Sequence, residues 1–253
     1  MLKFQYLFAS STVRIYQVEC SAGRGAYGEL ETAAASMVVL PSSGAFAYHF
    51  SPRDSSIADA NTAVVLRAGE AFKISHPHHG GDRCTVVEFA DDDALGALQG
   101  VRSLDARAAL LAHAAISGAT NAASALEIQE CAVALRDALD SLEPRVRHTT
   151  VELAKAALSR DPFDDRSLDD IAREVGASPF HLTRMFKKAT GLSLHAYRMH
   201  LRLRRGLERV RGGDSLADVA VDCGFAHHSQ FTAAFRRHFG STPSQLRKIS
   251  TAR

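Results

Sequence analysis

A ten-residue pattern in the C-terminal half of the chain is written twice, and this repeat restricts the possible fold more than any other feature. Ser167-Leu168-Asp169-Asp170-Ile171-Ala172-Arg173-Glu174-Val175-Gly176 returns 48 residues later as Ser215-Leu216-Ala217-Asp218-Val219-Ala220-Val221-Asp222-Cys223-Gly224. With one inserted residue the match resumes at an offset of 49. There Leu182-Thr183-Arg184-Met185-Phe186-Lys187-Lys188 stands against Phe231-Thr232-Ala233-Ala234-Phe235-Arg236-Arg237, and Gly191 against Gly240. Self-similarity over this length requires one supersecondary unit built twice.

The unit can be read from its local chemistry. Ser167 and Ser215 are placed to cap helices, each with an Asp three residues on. This variant of the capping box also sets negative charge near the positive helix end. Leu168, Ile171, Ala172 and Val175 fall on one helix face, as do Leu216, Val219, Ala220 and Cys223 in the second copy. Gly176 and Gly224 end these short helices at a tight turn. Ser178 caps the next helix, predicted over 179–190, and Pro179 takes its first position, where a missing N–H costs nothing. Leu182, Met185 and Phe186 turn inward there, which leaves Thr183, Arg184, Lys187 and Lys188 outward. A short capped helix, a glycine turn and a second helix with a basic outer face make a helix-turn-helix.

Between the copies, residues 193–211 interleave Leu194, Tyr197, Leu201, Leu203 and Leu207 with Arg198, Arg202, Arg204, Arg205 and Arg209. As a helix this segment spans roughly 27 Å, close to the ~34 Å between successive major-groove faces of DNA. A rod of that length can hold both second helices toward one side of a duplex. Charge separates along the same line. Residues 145–253 carry 20 Lys and Arg against 11 Asp and Glu, whereas residues 1–144 carry 10 against 17. An acidic half joined to a basic half predicts two domains with different partners, a polyphosphate for the basic one.

The N-terminal half has a different texture. Apolar runs at 12–20, 36–40, 45–50, 62–67, 71–75 and 84–89 are rich in Val, Ile, Phe, Tyr and Thr and have the length of strands. Pro41-Ser42-Ser43-Gly44, Ser51-Pro52-Arg53-Asp54, Ala68-Gly69 and Gly80-Gly81-Asp82 supply turn chemistry between them. Evenly spaced strands without helices predict a small antiparallel barrel or sandwich able to hold a small ligand. Beyond Asp93, residues 105–118 predict a helix closed by Gly118, and residues 121–144 one capped by Asn121 and stopped before Pro144. Ile128, Leu135 and Leu142 recur every seven residues in the latter. Such a stripe fits a self-association seam, and it equally fits a helix packed on its own barrel.

At 253 residues, with 46% hydrophobic and 23% charged residues, the chain has room for two packed domains and is not disordered throughout. No run of 18 apolar residues predicts a membrane span, and the N-terminal stretch has no signal-peptide hydrophobic region. Cys20, Cys84, Cys131 and Cys223 form no CxxC pair. A reduced, cytoplasmic protein without a membrane partner is expected.

Residues 145–253 resemble the DNA-binding domain of the AraC/XylS family of bacterial transcriptional regulators. The densest match is Ala220, Gly224-Phe225, Phe231, Phe235-Arg236-Arg237, Phe239-Gly240 and Pro243. The first copy matches through Ile171-Ala172, His181-Leu182, Arg184-Met185-Phe186-Lys187-Lys188 and Gly191. The N-terminal half is similar, more loosely, to the cupin-like barrel and paired helices of many members. The resemblance implies that the two second helices enter adjacent major grooves. It makes Phe180, Thr183 and Arg184, with His228, Ser229, Thr232 and Ala233, the base-facing candidates. Lys187, Lys188, Arg236 and Arg237 are the phosphate-contacting candidates. The chain departs from the family in three places: Ala233 stands where many members carry Arg, Ala226 where a capping Ser is common, and Leu246 where an aromatic is common.

His76-Pro77-His78-His79-Gly80-Gly81-Asp82-Arg83-Cys84 is similar to the cupin metal motif, H-x-H followed by a carboxylate. His76, His78 and Asp82 are its candidate ligands for a transition metal. A polar hairpin turn with no metal is the other reading of the same residues.

The expected fold is therefore α+β and multidomain. Residues 1–90 form a cupin-like sensor β-barrel, and 91–144 a helical dimerisation or linker segment. Residues 145–253 form an all-α domain with two helix-turn-helix units. The expected function is a sequence-specific DNA-binding transcriptional regulator, not an enzyme, controlled by a small-molecule effector in the barrel. The competing reading is a metal-dependent cupin enzyme tethered to DNA. Expected partners are double-stranded DNA, a second copy of the chain, the effector and RNA polymerase. No cofactor is expected unless the histidine cluster holds a metal.

Overall fold

The computed structural model describes residues 2–21, 23, 28–51, 54–121, 123–142, 148–211 and 214–251. The expected domain boundary at 144/145 and the Pro52-Arg53 turn lie outside the described residues.

Among the described residues ten strands come first: β1 (Leu2–Ala9), β2 (Val13–Cys20), β3 (Glu31–Thr32), β4 (Ser36–Gly44), β5 (Phe46–Ser51), β6 (Asp54–Ala58), β7 (Thr62–Leu66), β8 (Ala71–Ser75), β9 (Asp82–Phe89) and β10 (Gly100–Ser103). They form two antiparallel sheets, β1-β2-β9-β4-β7-β10 and β3-β8-β5-β6. No ladder joins the two among the described residues, so the expected barrel is open rather than closed. The larger sheet also runs past residue 90, because β10 pairs with β7 from Gly100 to Ser103.

The continuous apolar runs of β7 and β9 are explained by burial on both faces. Ala63, Val65 and Val87 pack against the helices that follow, while Val64, Leu66 and Cys84 pack toward the smaller sheet. Each Val or Leu so enclosed contributes about 1.5–3 kcal/mol. The segment Pro41–Gly44 is not a turn. It continues β4 through a bulge between Pro41 and Ser43, and Gly44 accepts the positive φ of 72° there.

Two helices cover the larger sheet. α1 (Ala106–Thr120) starts at Asp105, whose carboxylate accepts from the Ala108 N–H. Gly118 does not end it. A Cβ at Gly118 would stand 3.1 Å from Ile128 Cγ1, so this glycine is a point of close helix approach. α2 (Ala125–Asp140) is capped by a reciprocal box between Ser124 and Glu127, not by Asn121, which instead closes α1. The dimer-seam expectation for Ile128, Leu135 and Leu142 is corrected by packing. Ile128 and Leu135 are buried in the core between α2, α1 and the sheet, and Leu142 is half-buried against it. The sheet needed a cover for its outer apolar face, and this stripe supplies it.

Seven helices follow among the described residues: α3 (Thr149–Arg160), α4 (Leu168–Glu174), α5 (Pro179–Thr190), α6 (Leu194–Arg211), α7 (Leu216–Asp222), α8 (His228–Phe239) and α9 (Pro243–Thr251). The repeat is realised as α4–α5 and α7–α8, turning on Gly176 (φ 67°) and Gly224 (φ 73°). The central rod α6 serves two cores. Leu194, Tyr197 and Leu201 pack with Ile171, Leu182 and Phe186 of the first unit. Leu203, Leu207 and Val210 pack with Val219, Phe231 and Phe235 of the second. Ser167 makes the full capping box with Asp170, whereas the Ser215 side chain caps nothing.

Buried polar groups join the two halves. Asp59, in the β6–β7 turn, accepts hydrogen bonds from the hydroxyls of Ser159 (2.7 Å) and Tyr197 (2.6 Å). The Asn61 side-chain amide donates to the Tyr197 carbonyl at 3.1 Å and accepts from Arg204 Nε at 3.1 Å. Lys155 Nζ reaches the Ile57 carbonyl at 2.6 Å and Glu152 at 2.8 Å. The turn is thus fastened to α3 and to the rod.

Candidate nucleic-acid interface and sensor cavity

Ser178 and Pro179 fix the start of α5. The serine hydroxyl accepts from the His181 N–H, and Gly191 closes the far end in the left-handed conformation. With Leu182 and Phe186 buried beneath, Pro179, Phe180, Thr183, Arg184, Lys187 and Lys188 line one open groove along the outer side. Phe180 is 79% exposed. In the second unit His228, Ser229, Thr232, Ala233, Arg236 and Arg237 line the matching groove on α8. The structure therefore gathers the base-facing and phosphate-contacting candidates into two equivalent faces. No described residue of the N-terminal half lines either one.

The charges on these faces are unspent. Among the described residues Arg184, Lys187, Lys188, Arg236 and Arg237 take part in no recorded ion pair. The arginines of the rod behave differently. Arg198 donates to the Arg166 carbonyl and Arg202 to that of Pro162. Arg209 pairs with Asp214 and Asp222. They hold the fold together, while the basic groups of α5 and α8 stand free for an external anion. The two units are not equal. α8 is capped at His227 with no side-chain hydrogen bond; the cap lies one residue after Ala226, where the resemblance placed the missing Ser. Its groove also carries Ala233 where α5 carries Arg184.

The second site lies between the sheets. A cavity of about 490 Å³ is walled by Leu2, Phe4, Tyr16 and Val18 on one side and by Phe46, Tyr48, Val64, Leu66 and Phe72 on the others. Phe4 and Tyr6 pack against Tyr16 with ring centroids 6.3 and 5.4 Å away. Leu2, Phe4 and Tyr6 nonetheless remain more than half exposed, so the wall is an unfilled apolar surface. Two tyrosine hydroxyls of its lining are held neutral. Burial and the hydrogen bond to Glu70 (2.7 Å) push the Tyr48 hydroxyl well above its ordinary range. Burial and Glu88 push Tyr16 up to about 12. No described lining residue is Lys or Arg.

The histidine segment resolves differently from its expectation. His76 Nε2 lies 2.6 Å from Asp82 Oδ1, so these two do meet. His78 does not join them; it donates to the Ala156 carbonyl of α3 at 2.9 Å and acts as a bond between the halves. His49 bonds Ser75 instead. The third member of the cluster is Cys20, whose Sγ lies within 4.8 Å of the His76 and Asp82 ligand atoms. Sequence reasoning missed it because Cys20 and Asp82 are neighbours only through the β2–β9 register. Cys84 is no reactive thiol, since burial and the adjacent Asp82 carboxylate push its pKa well up.

Residues 146–249 match the family model described as a helix-turn-helix domain. The chain is 36% identical over 88 residues to the HTH-type transcriptional regulator MtrA of Neisseria gonorrhoeae, covering 34% of this chain and 29% of that protein. It is 35% identical over 85 residues to the probable transcription factor PqrA of Proteus vulgaris, covering 33% of this chain and 70% of that one. Among solved structures, ToxT of Vibrio cholerae aligns over 99% of both chains at 12% identity and a TM-score of 0.41. A Chromobacterium violaceum regulator with an AraC-type DNA-binding domain aligns over 40% of this chain and 92% of its own at 29% identity and a TM-score of 0.38.

Proposed function

The chain belongs to the AraC/XylS family of transcriptional regulators, and on that premise we propose that it reads a bipartite DNA site with α5 and α8 under the control of a small molecule. The observation that carries this reading is the pair of equivalent helix faces whose basic side chains make no ion pair among the described residues. One chain supplies both reading helices, so recognition of two half-sites needs no second copy. On this reading the protein works on chromosomal DNA in the bacterial cytoplasm, with RNA polymerase as its proposed partner at a promoter.

The effector site is the cavity between the sheets. Val64 and Leu66 line it, and the turn that precedes their strand carries Asp59 and Asn61, which grip Tyr197 of the rod. An effector that fits the cavity differently in two arrangements of this wall shifts the population of rod positions competent for DNA. An apolar molecule suits a lining that holds Phe4, Phe46, Val64, Leu66 and Phe72.

Arg184 is the strongest sequence reader in this account. Its planar fork can donate two bonds to guanine O6 and N7, and among the described residues no acid pairs with it. Arg184→Ala is expected to cost about 1–3 kcal/mol of binding and to relax preference at one or two base pairs. Lys188→Ala or Arg237→Ala should weaken binding to all sequences alike, as phosphate contacts do. Selection of bound sites from genomic fragments with the wild type and each variant checks this. An unchanged base preference in Arg184→Ala assigns that residue to the backbone. Failure of the wild type to enrich any sequence overturns the proposed function.

A further inference from the structure

Three side chains of different chemistry converge at the edge of the sensor cavity, and DNA recognition uses none of them. Cys20 ends β2, Asp82 begins β9 directly opposite it, and His76 follows β8 of the facing sheet. One ligand atom from each lies within 4.8 Å of the other two. A tetrahedral ion bound at roughly 2.0–2.3 Å sets its ligands about 3.3–3.8 Å apart, so small side-chain adjustments close this set on an ion.

The backbone around the cluster is built for this approach. A Cβ at Gly81 would stand 1.7 Å from the Cys20 carbonyl oxygen, and one at Gly44 would stand 2.3 Å from that of Gly81. Both glycines have positive φ. Only glycine lets the 80–82 turn press against the end of β2, and that pressure sets Asp82 beside Cys20. The carboxylate is further oriented by Cys84, whose thiol donates to Oδ2 at 3.1 Å. This leaves Oδ1 toward His76 and supplies the outer hydrogen bond that metal-ligating carboxylates use. His76 is 7% exposed, so its imidazole is already desolvated and held.

We propose that Cys20, His76 and Asp82 form a binding site for a zinc-class divalent ion, with its fourth position open to the cavity. One thiolate, one imidazole and one carboxylate suit a borderline-soft ion such as Zn²⁺ or Co²⁺ and suit Mg²⁺ or Ca²⁺ poorly. The thiol proton of Cys20 is released to solvent when the ion binds. The ion lines the same cavity as Phe4, Tyr16 and Phe72, which gives an apolar chamber one point for a donor atom.

The test is titration of the full, reduced, metal-stripped chain with Co²⁺ and Zn²⁺. The wild type should bind one ion per chain. With Co²⁺ it should show tetrahedral visible bands and a thiolate-to-cobalt charge-transfer band in the near ultraviolet, displaced by Zn²⁺. Cys20→Ser should abolish the charge-transfer band, and Asp82→Asn should weaken Zn²⁺ binding at least tenfold. Cys131→Ser, on α2 and outside the cluster, should leave both unchanged. A wild type that takes up no ion at micromolar Co²⁺ or Zn²⁺ overturns the proposal, because His76 and Asp82 then form only an internal pair. Full retention of the charge-transfer band in folded Cys20→Ser also overturns it. Neither outcome depends on DNA binding.

Discussion

Asp59→Ala should lower the stability of the chain by about 3–5 kcal/mol, as expected for breaking a buried polar network from one side. Asp59 is fully buried, and its carboxylate accepts from the hydroxyls of Ser159 and Tyr197 and from the Asn61 backbone N–H. Removing it strands three buried donors at once. The same substitution loosens the rod's hold on the β6–β7 turn, because the Tyr197 hydroxyl loses Asp59 while the Asn61 bonds to Tyr197 and Arg204 are left in place. Urea unfolding monitored by circular dichroism measures the first effect. A loss of any effector dependence in DNA binding by the residual folded protein measures the second. Tyr197→Phe, which removes only one donor, should cost about 1 kcal/mol. A variant Asp59→Ala as stable as the wild type would mean that the Asp59 bonds to Ser159 and Tyr197 do not stabilise the join between the halves.

Leu135→Glu should do more damage still, and to a different property than its heptad spacing predicts. Leu135 is fully buried among Ile128, Ala132 and Leu139 of α2 and the apolar face of the larger sheet. A carboxylate there has no partner and no water. The combined loss of packing and burial of a polar group is expected to exceed about 5 kcal/mol, enough to unfold the N-terminal half. Loss of the sheet signal and aggregation on purification are the expected results. A well-folded monomer replacing a dimeric wild type, seen by sedimentation, would restore Leu135 to a seam between copies.

The contrast between these two residues shows what the sequence could convey. The helix-turn-helix units were legible because their signals are local. Caps, glycine turns and helical periodicity fall within a dozen residues, and the repeat reads each signal twice. The six apolar runs were legible as strands for the same reason. β1 was not, since Lys3 and Gln5 alternate with apolar residues on a strand exposed on both faces. Gly118 was misread because a helix-stopping glycine and a close-contact glycine look alike until α2 is placed beside it. The stripe on α2 shows which face is apolar but not what covers it. Cys20 and Asp82, or Asp59 and Tyr197, are joined only by register and domain packing, and no local pattern records such pairs. The base-facing candidates came from position in a family motif, and the structure adds that Arg184 makes no ion pair among the described residues.

The central claim is that one chain reads two successive major grooves with α5 and α8. Hydroxyl-radical footprinting of the full-length protein on a selected site tests it most directly. The account predicts two protected windows centred about 10 base pairs apart on one face of the duplex, the window under α5 losing its sequence dependence in Arg184→Ala. A single protected window, or two windows on opposite faces of the helix, would contradict it.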